Sequence, residues 1–217
     1  LTDQRLPLPV VRLLSPVLPS KVCAFGRTYA EHAAELGNEV AKEPLMFLKP
    51  STSVAGPGDV IWLPELSSDV QHEAELAVVI GSLCKDVVAE RAHEVILGYT
   101  CANDVTARDL QRSDGQWSRA KGFDTFCPLG PWVETALDPA DLAVSCHIDD
   151  RVAQDGRTSE MVFSVADLVA YTSRIMTLLP GDVILTGTPA GVSTLHAGDT
   201  VEVRIEGIGS LINSVSN

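Results

Sequence analysis

No window of this 217-residue chain holds the roughly 18 uncharged apolar residues that a membrane helix needs, and its apolar opening from Leu6 to Leu18 is broken by prolines and Arg12. A chain without a membrane span is expected. Cysteine is scarce too. Cys23, Cys84, Cys101, Cys127 and Cys146 are odd in number, widely spaced and free of any C-x-x-C pair. That pattern speaks against a zinc knuckle or disulfide framework and fits a reducing cytoplasm. Basic charge is short as well, with 16 Lys and Arg against 29 Asp and Glu for a net charge of -13. Nonspecific nucleic-acid binding, which depends on cations neutralising phosphates, is thereby disfavoured. Small molecules or protein partners are expected instead. If the substrate is an anion, a metal and local cations must reverse the sign of the field inside the pocket, with Arg108, Arg119 and Lys121 as candidates.

What is present is 45% hydrophobic content, enough over this length for one compact domain. Val22 to Phe25 reads as a buried strand running into Gly26. Thr28 with Glu31 has the form of a capping box, so a short helix should begin there and stop near Leu36, before Gly37-Asn38. A helix this short is marginal without tertiary support. Strands are expected at Leu45–Leu48, at Val60–Leu63 and, as one long piece, at Val70–Ile80. Ala89 to Ile96 looks helical and Leu97 to Ala102 extended, and Asp104 has the form of a cap for a helix from Val105 to about Gln111. Ser164 opens the best amphipathic helix, with Val165, Leu168, Val169, Thr172, Ile175 and Met176 on its core stripe. Asp182–Leu185, Thr200–Ile205 and Ser210–Val215 read as closing strands. Pro-Gly-Asp-Val-Ile occurs at Pro57 and again at Pro180, which is read as shared turn chemistry rather than a repeat.

Glu73 and Glu75 are two apart in an apolar stretch, and strand periodicity puts both carboxylates on one face. An isolated pair of this kind is ordinarily a solvated acidic edge. Here the flanking residues are those of a deep strand, where two carboxylates need a cation or proton between them. Asp104 supplies a plausible third oxygen, although an ordinary N-cap explains it as well. Arg108 and Gln111, four and seven positions on, would then share its helical face. An all-carboxylate set favours Mg²⁺ or Mn²⁺ over zinc or copper. His32 and Glu35, one helical turn apart, can pair as a base acting on water, while Lys121 sits in a loop between Trp117 and Phe123 where a lone lysine is usually solvated.

Six segments, taken together, resemble the fumarylacetoacetate hydrolase family. They are Gly26-Arg27-Thr28-Tyr29-Ala30-Glu31-His32, Phe47-Leu48-Lys49-Pro50, His72-Glu73-Ala74-Glu75-Leu76, Asn103-Asp104-Val105-Thr106-Ala107-Arg108-Asp109, Lys121-Gly122-Phe123-Asp124 and the run from Gly181 to Pro189. The resemblance implies an α+β, β-rich fold, a mixed β-sandwich roll with a few short helices. It also implies one Mg²⁺ or Mn²⁺ per subunit on Glu73, Glu75 and Asp104, and a lid dyad of His32 and Glu35. Lys121 would act on the reacting carbon, and Arg108, Gln111, Gly187 and Thr188 would contact a small anionic 2-oxo acid. A homodimer is implied as well. Family members commonly have Asn where this chain has Thr28. Many bacterial members carry a small N-terminal domain; here residues 1–21 read as an N-terminal extension ahead of a catalytic domain at 22–217.

The expected reaction is metal-dependent hydrolysis of a C–C bond in a 2,4-dioxo acid of the acylpyruvate or fumarylpyruvate type, through a metal-stabilised pyruvate enolate. Oxaloacetate decarboxylation and isomerisation of 2-hydroxyhepta-2,4-diene-1,7-dioate pass through closely related enolates. The reading from another class is a catalytically silent protein that binds metal and a small molecule.

Overall fold

The computed structural model describes residues 5–39 and 42–217; the first four residues of the expected N-terminal extension lie outside them. In chain order the elements are β1 (Val22–Gly26), α1 (Ala30–Glu35), β2 (Leu45–Lys49), β3 (Val54–Ala55), β4 (Val60–Trp62), β5 (Val70–Gln71) and β6 (Ala74–Ile80). They continue with β7 (Ile96–Asn103), β8 (Thr106–Ala107), α2 (Arg108–Asp114), α3 (Ser118–Lys121) and β9 (Cys127–Glu134). β10 (Ala143–Ile148), β11 (Arg151–Arg157), α4 (Val165–Ile175), β12 (Val183–Leu185), β13 (Thr200–Ile205) and β14 (Gly209–Ser216) complete the chain. No helix among the described residues is long and apolar enough to cross a membrane.

Seven strands form one mixed sheet in the order β2-β1-β12-β6-β7-β9-β3, and five form a second in the order β11-β10-β13-β14-β4. Their facing sides interdigitate, with Leu76, Val78, Ile80 and Cys101 from the first and Val144, Cys146, Val203 and Leu211 from the second in one buried cluster. Each such aliphatic side chain contributes about 1.5–3 kcal/mol by leaving water. The other face of the seven-stranded sheet is buried too, through Val22, Ala24, Ala77, Val79, Ala102 and Leu185. Burial on both faces explains why β6 reads as an almost unbroken apolar run. The expected β-rich sandwich with short helices is what the chain forms.

Several local expectations need correction. The piece expected from Val70 to Ile80 is two strands, broken at His72-Glu73. There the Glu73 N–H goes to Asn103 Oδ1 and the Ala74 N–H to Gln154 Oε1, so side chains do the work of a neighbouring strand. Thr28 does not cap α1. The cap position is Tyr29, without a side-chain bond, because the Thr28 hydroxyl is drawn into the interior to donate to the Thr186 carbonyl. Asp104 caps nothing either, since Thr106–Ala107 pair with β5 and delay α2 until Arg108. Ala89–Glu94 is a 3-10 helix, and Ile96 already belongs to β7. Lys121 ends α3 rather than lying in a loop, and is 1% exposed. Ser164 caps α4 as expected, with Asp167 completing the box, but Ile175 at its end is half exposed.

The repeated pentapeptide is turn chemistry. Gly58 and Gly181 both have positive φ, and Asp59 and Asp182 each accept the N–H three residues back, from Gly56 and Leu179. Strands β9, β10 and β11 had no counterpart in the sequence reading. Two prolines mask β9, whereas the alternation of Val144, Cys146 and Ile148 with more open residues in β10 was a legible period of two.

Candidate metal centre and active site

The chemistry sits where the outer face of the seven-stranded sheet runs out. Register pairs Phe47 with Ala24 and Lys49 with Val22, so both side chains join the face that carries Ala77 and Val79, and Glu75 continues the same alternation. Asp104 follows the last residue of β7, and its N–H donates to the Glu73 carbonyl at 2.8 Å. Oxygens of Glu73, Glu75 and Asp104 thereby come within 4.8 Å of one another. All three residues are buried.

Three cations surround them. Lys49 Nζ lies 2.6 Å from Asp104 Oδ1, and Lys121 Nζ bridges Glu73 Oε2 at 2.7 Å and Asp104 Oδ2 at 2.6 Å. The guanidinium of Arg108 donates to Glu73 Oε1 at 2.5 Å and to Gln111 Oε1 at 2.6 Å. Burial works against ionised Glu73, but Lys121, Arg108 and His32 outweigh it and hold its carboxyl well below the usual range. Glu75 goes the other way. Burial, with the negative charges of Asp104 and Glu73, raises its pKa well above the ordinary value. Lys121 is also buried, yet Asp104 and Glu73 keep its ammonium charged, with the pKa pushed up.

This donor set fits a hard divalent cation. Glu75 Oε2 accepts from the Gly187 N–H at 2.6 Å, while Oε1 has no partner among the described residues. A buried carboxylate oxygen left bare costs free energy unless a proton or a cation meets it. Among the described residues the nearby soft donors are otherwise engaged: His72 is committed to Gln154 and Ser193, His32 Nδ1 is paired with Glu35, and burial pushes the Cys127 thiol up to about 12. Three carboxylates without soft ligands suit Mg²⁺ or Mn²⁺.

A cavity of about 280 Å³ opens over this cluster, lined by His32, Glu73, Glu75, Arg108, Lys121 and Thr188 among others. Phe47 and Trp117 pack edge to face at 5.2 Å beside it, and Lys121 Nζ lies 4.9 Å from the Phe47 ring centre. From α1, His32 Nδ1 meets Glu35 Oε2 at 3.0 Å, and Glu35 Oε1 accepts from the Gly191 N–H at 3.0 Å. Thr188 Oγ1 donates to the Ala74 carbonyl at 2.8 Å. The structure therefore gathers His32, Glu35, Lys121, Glu73, Glu75, Asp104, Arg108, Gln111, Gly187 and Thr188 around one cavity and its floor. Arg119, the remaining candidate cation, instead lies on the surface against Asp114. Sequence reasoning gave Lys49 no role, although it stands inside the quoted Phe47–Pro50 segment, and passed over Gln154, for which no local signal exists.

Gly187 makes this close approach feasible. Its φ is +96°, and a Cβ there would lie 1.8 Å from Thr28 Oγ1. Gly187→Ala is expected to cost about 3 kcal/mol, read as a Tm fall of about 6–12 °C in a melt of the metal-free protein.

Residues 21–216 match the family described as fumarylacetoacetate hydrolase, C-terminal. The chain belongs to the fumarylacetoacetate hydrolase family. It is 43% identical to the mitochondrial oxaloacetate tautomerase Fahd2a of Rattus norvegicus, over 97% of this chain and 71% of that protein. The solved 5-carboxymethyl-2-hydroxymuconate delta-isomerase from Mycobacterium smegmatis is 55% identical with a TM-score of 0.93, covering 99% of this chain and 86% of that one. A fumarylpyruvate hydrolase from Pseudomonas aeruginosa, solved with Mn²⁺ and pyruvate, is 33% identical with a TM-score of 0.86, covering 91% and 90%. The family and fold are thus shared with proteins named for hydrolysis, isomerisation and tautomerisation.

Proposed function

We propose that this protein is a divalent-metal-dependent hydrolase cleaving the C3–C4 bond of a 2,4-dioxo acid to give pyruvate and a carboxylic acid. The observation that carries the reading is the buried carboxylate set beneath a cavity that His32 also lines, with Glu35 bonded to that histidine. Glu73, Glu75 and Asp104 would hold Mg²⁺ or Mn²⁺, whose contribution is Lewis-acid stabilisation of negative charge on the 2-oxo oxygen. Arg108 and Gln111, bonded to each other, with the loop at Gly187 and Thr188, orient the substrate.

Because the Glu35 carboxylate can only accept, Nδ1 of His32 carries the shared proton and Nε2 is left free to take one from water. Hydroxide oxygen bonds to C4, the C3–C4 bond breaks, and its electron pair passes to C3 and the 2-oxo oxygen. Lys121 gives C3 a proton, and the proton held by His32 restores the ammonium. Arg27 and Arg112 line the cavity as well and favour an acyl part that is itself anionic. The homodimer belongs to this proposal and is read by light scattering on the purified chain.

A second reading is proton transfer alone, as in a tautomerase or isomerase. It is favoured by the presence of two proton carriers, His32 and Lys121, on one cavity. The test is pyruvate release from acetylpyruvate, fumarylpyruvate and oxaloacetate, with Mg²⁺, with Mn²⁺ and after chelation. Release from the dioxo acids should require the ion, vanish in Glu73→Ala and fall about 100-fold in Glu35→Gln. Preference for oxaloacetate with Glu35→Gln still active would mean decarboxylation. A metal-dependent loss of enol absorbance without pyruvate would establish the second reading, and no turnover with either ion would leave a silent binder.

A further inference from the structure

Gln154 belongs to β11 in the five-stranded sheet, yet its side chain ends between the two segments that build the centre. It is 1% exposed, and every hydrogen-bonding position of its amide is taken. Oε1 accepts from the Ala74 N–H and faces His72 Nδ1, both at 3.0 Å. Nε2 donates to Thr188 Oγ1 and to the Pro189 carbonyl, both at 2.7 Å. The partners settle the direction. Ser193 N–H donates to His72 Nε2 at 3.2 Å, which leaves Nδ1 as the protonated ring nitrogen. A flipped amide would set donors against the Ala74 N–H and an acceptor against the Pro189 carbonyl. Since Thr188 Oγ1 accepts from Gln154, its own proton is the one given to Ala74 O.

Backbone contact reinforces the bond pattern. A Cβ at Gly191 would lie 2.1 Å from Ala153 O, and one at Gly156 would lie 2.6 Å from Pro189 Cβ, so the loop from Gly187 to Gly191 rests directly on β11. The amide fills the junction between that loop and the strand break before β6.

We propose that Gln154 is a positioning residue that fixes the substrate loop relative to the carboxylate segment. Its oxygen holds the chain between Glu73 and Glu75, and its nitrogen holds Thr188 and Pro189. The inference rests on the reading that Glu73 and Glu75 bind the cation and Thr188 the substrate. It separates the two halves of one amide: cation affinity depends on the oxygen, and ligand affinity on the nitrogen.

The experiment uses Mn²⁺ and oxalate, a planar dianion shaped like the carboxylate and enolate oxygens of enolpyruvate, so no turnover is needed. Free Mn²⁺ is followed by its electron paramagnetic resonance signal, oxalate binding to the loaded protein by calorimetry, and folding by circular dichroism. Gln154→Glu keeps an acceptor for Ala74 and His72 but has no donor for the Pro189 carbonyl, and it draws the Thr188 hydroxyl proton away from the Ala74 carbonyl. Its Mn²⁺ Kd should stay within about threefold of the native value while the oxalate Kd rises about tenfold or more. Gln154→Leu removes both halves and should weaken both ligands about tenfold or more. If Gln154→Leu does not fold, the split in Gln154→Glu decides alone. Native affinities in either folded variant, or equal weakening of both ligands in Gln154→Glu, would overturn the inference and leave the functional reading standing. A native chain that binds no Mn²⁺ would overturn both.

Discussion

Glu75→Gln is expected to melt higher than the native chain when both are free of metal at pH 8, and to lose the stabilisation that Mn²⁺ gives the native chain. Buried Glu75 keeps its proton to a pH at which an unfolded chain has already released it. Folding without the ion therefore takes up a proton, and native stability falls as pH rises from the ordinary glutamate range toward the raised folded value. Glutamine has the shape of the protonated acid and nothing to release, so the gap between variant and native widens with pH. With Mn²⁺ at about 100 times its Kd the native chain gains about 2.7 kcal/mol, or about 5–11 °C in a chain of this size. The variant gains none of it. Calorimetric melts at pH 6 and 8, with and without Mn²⁺, read both arms. A metal-free variant that melts lower at pH 8 would contradict the assignment of Glu75 as the carboxylate that the ion discharges.

The same residue shows how far the sequence could be read. Strand alternation put Glu73 and Glu75 on one face, and they do meet at one centre, although the strand expected to carry both breaks at His72-Glu73. Local patterning could not show that break, because the amides that take up the backbone there are remote in sequence, Asn103 at the end of the paired strand β7 and Gln154 in the other sheet. Asp104 was open between cap and ligand by sequence. The structure takes away the cap reading by starting α2 at Arg108, and gives the carboxylate to Lys49 and Lys121. A loop lysine reads as solvated until the fold surrounds it, and the same holds for Lys49 in a strand whose other residues are partly exposed. What stayed illegible is what depends on long-range pairing. What was legible came from turn and cap chemistry, as at Ser164, Gly37 and the two Pro-Gly-Asp turns, and from the order of the family segments.

Lys121→Met should separate ion binding from catalysis. The ammonium bridges Glu73 and Asp104, but each carboxylate keeps a second partner without it. Glu73 retains Arg108 at 2.5 Å and Asp104 retains Lys49 at 2.6 Å. The fold is therefore expected to survive with a modest fall in Tm. Removing one positive charge from beside the donor set lowers the electrostatic opposition to a dication, so Mn²⁺ should bind as tightly as in the native chain or more tightly. Turnover should move the other way, falling about 10²–10⁴-fold, because no group of equal charge remains to meet the developing carbanion or to give C3 its proton. Lys121→Arg should fail to restore it, since the larger planar guanidinium cannot set one compact donor between Glu73 and Asp104 and is a weaker acid toward C3 than the ammonium. Single-turnover pyruvate formation set against Mn²⁺ titration distinguishes the cases. Parallel loss of affinity and rate in Lys121→Met would make the lysine a structural pin for Glu73 and Asp104, whereas opposite movement places it on the reacting carbon.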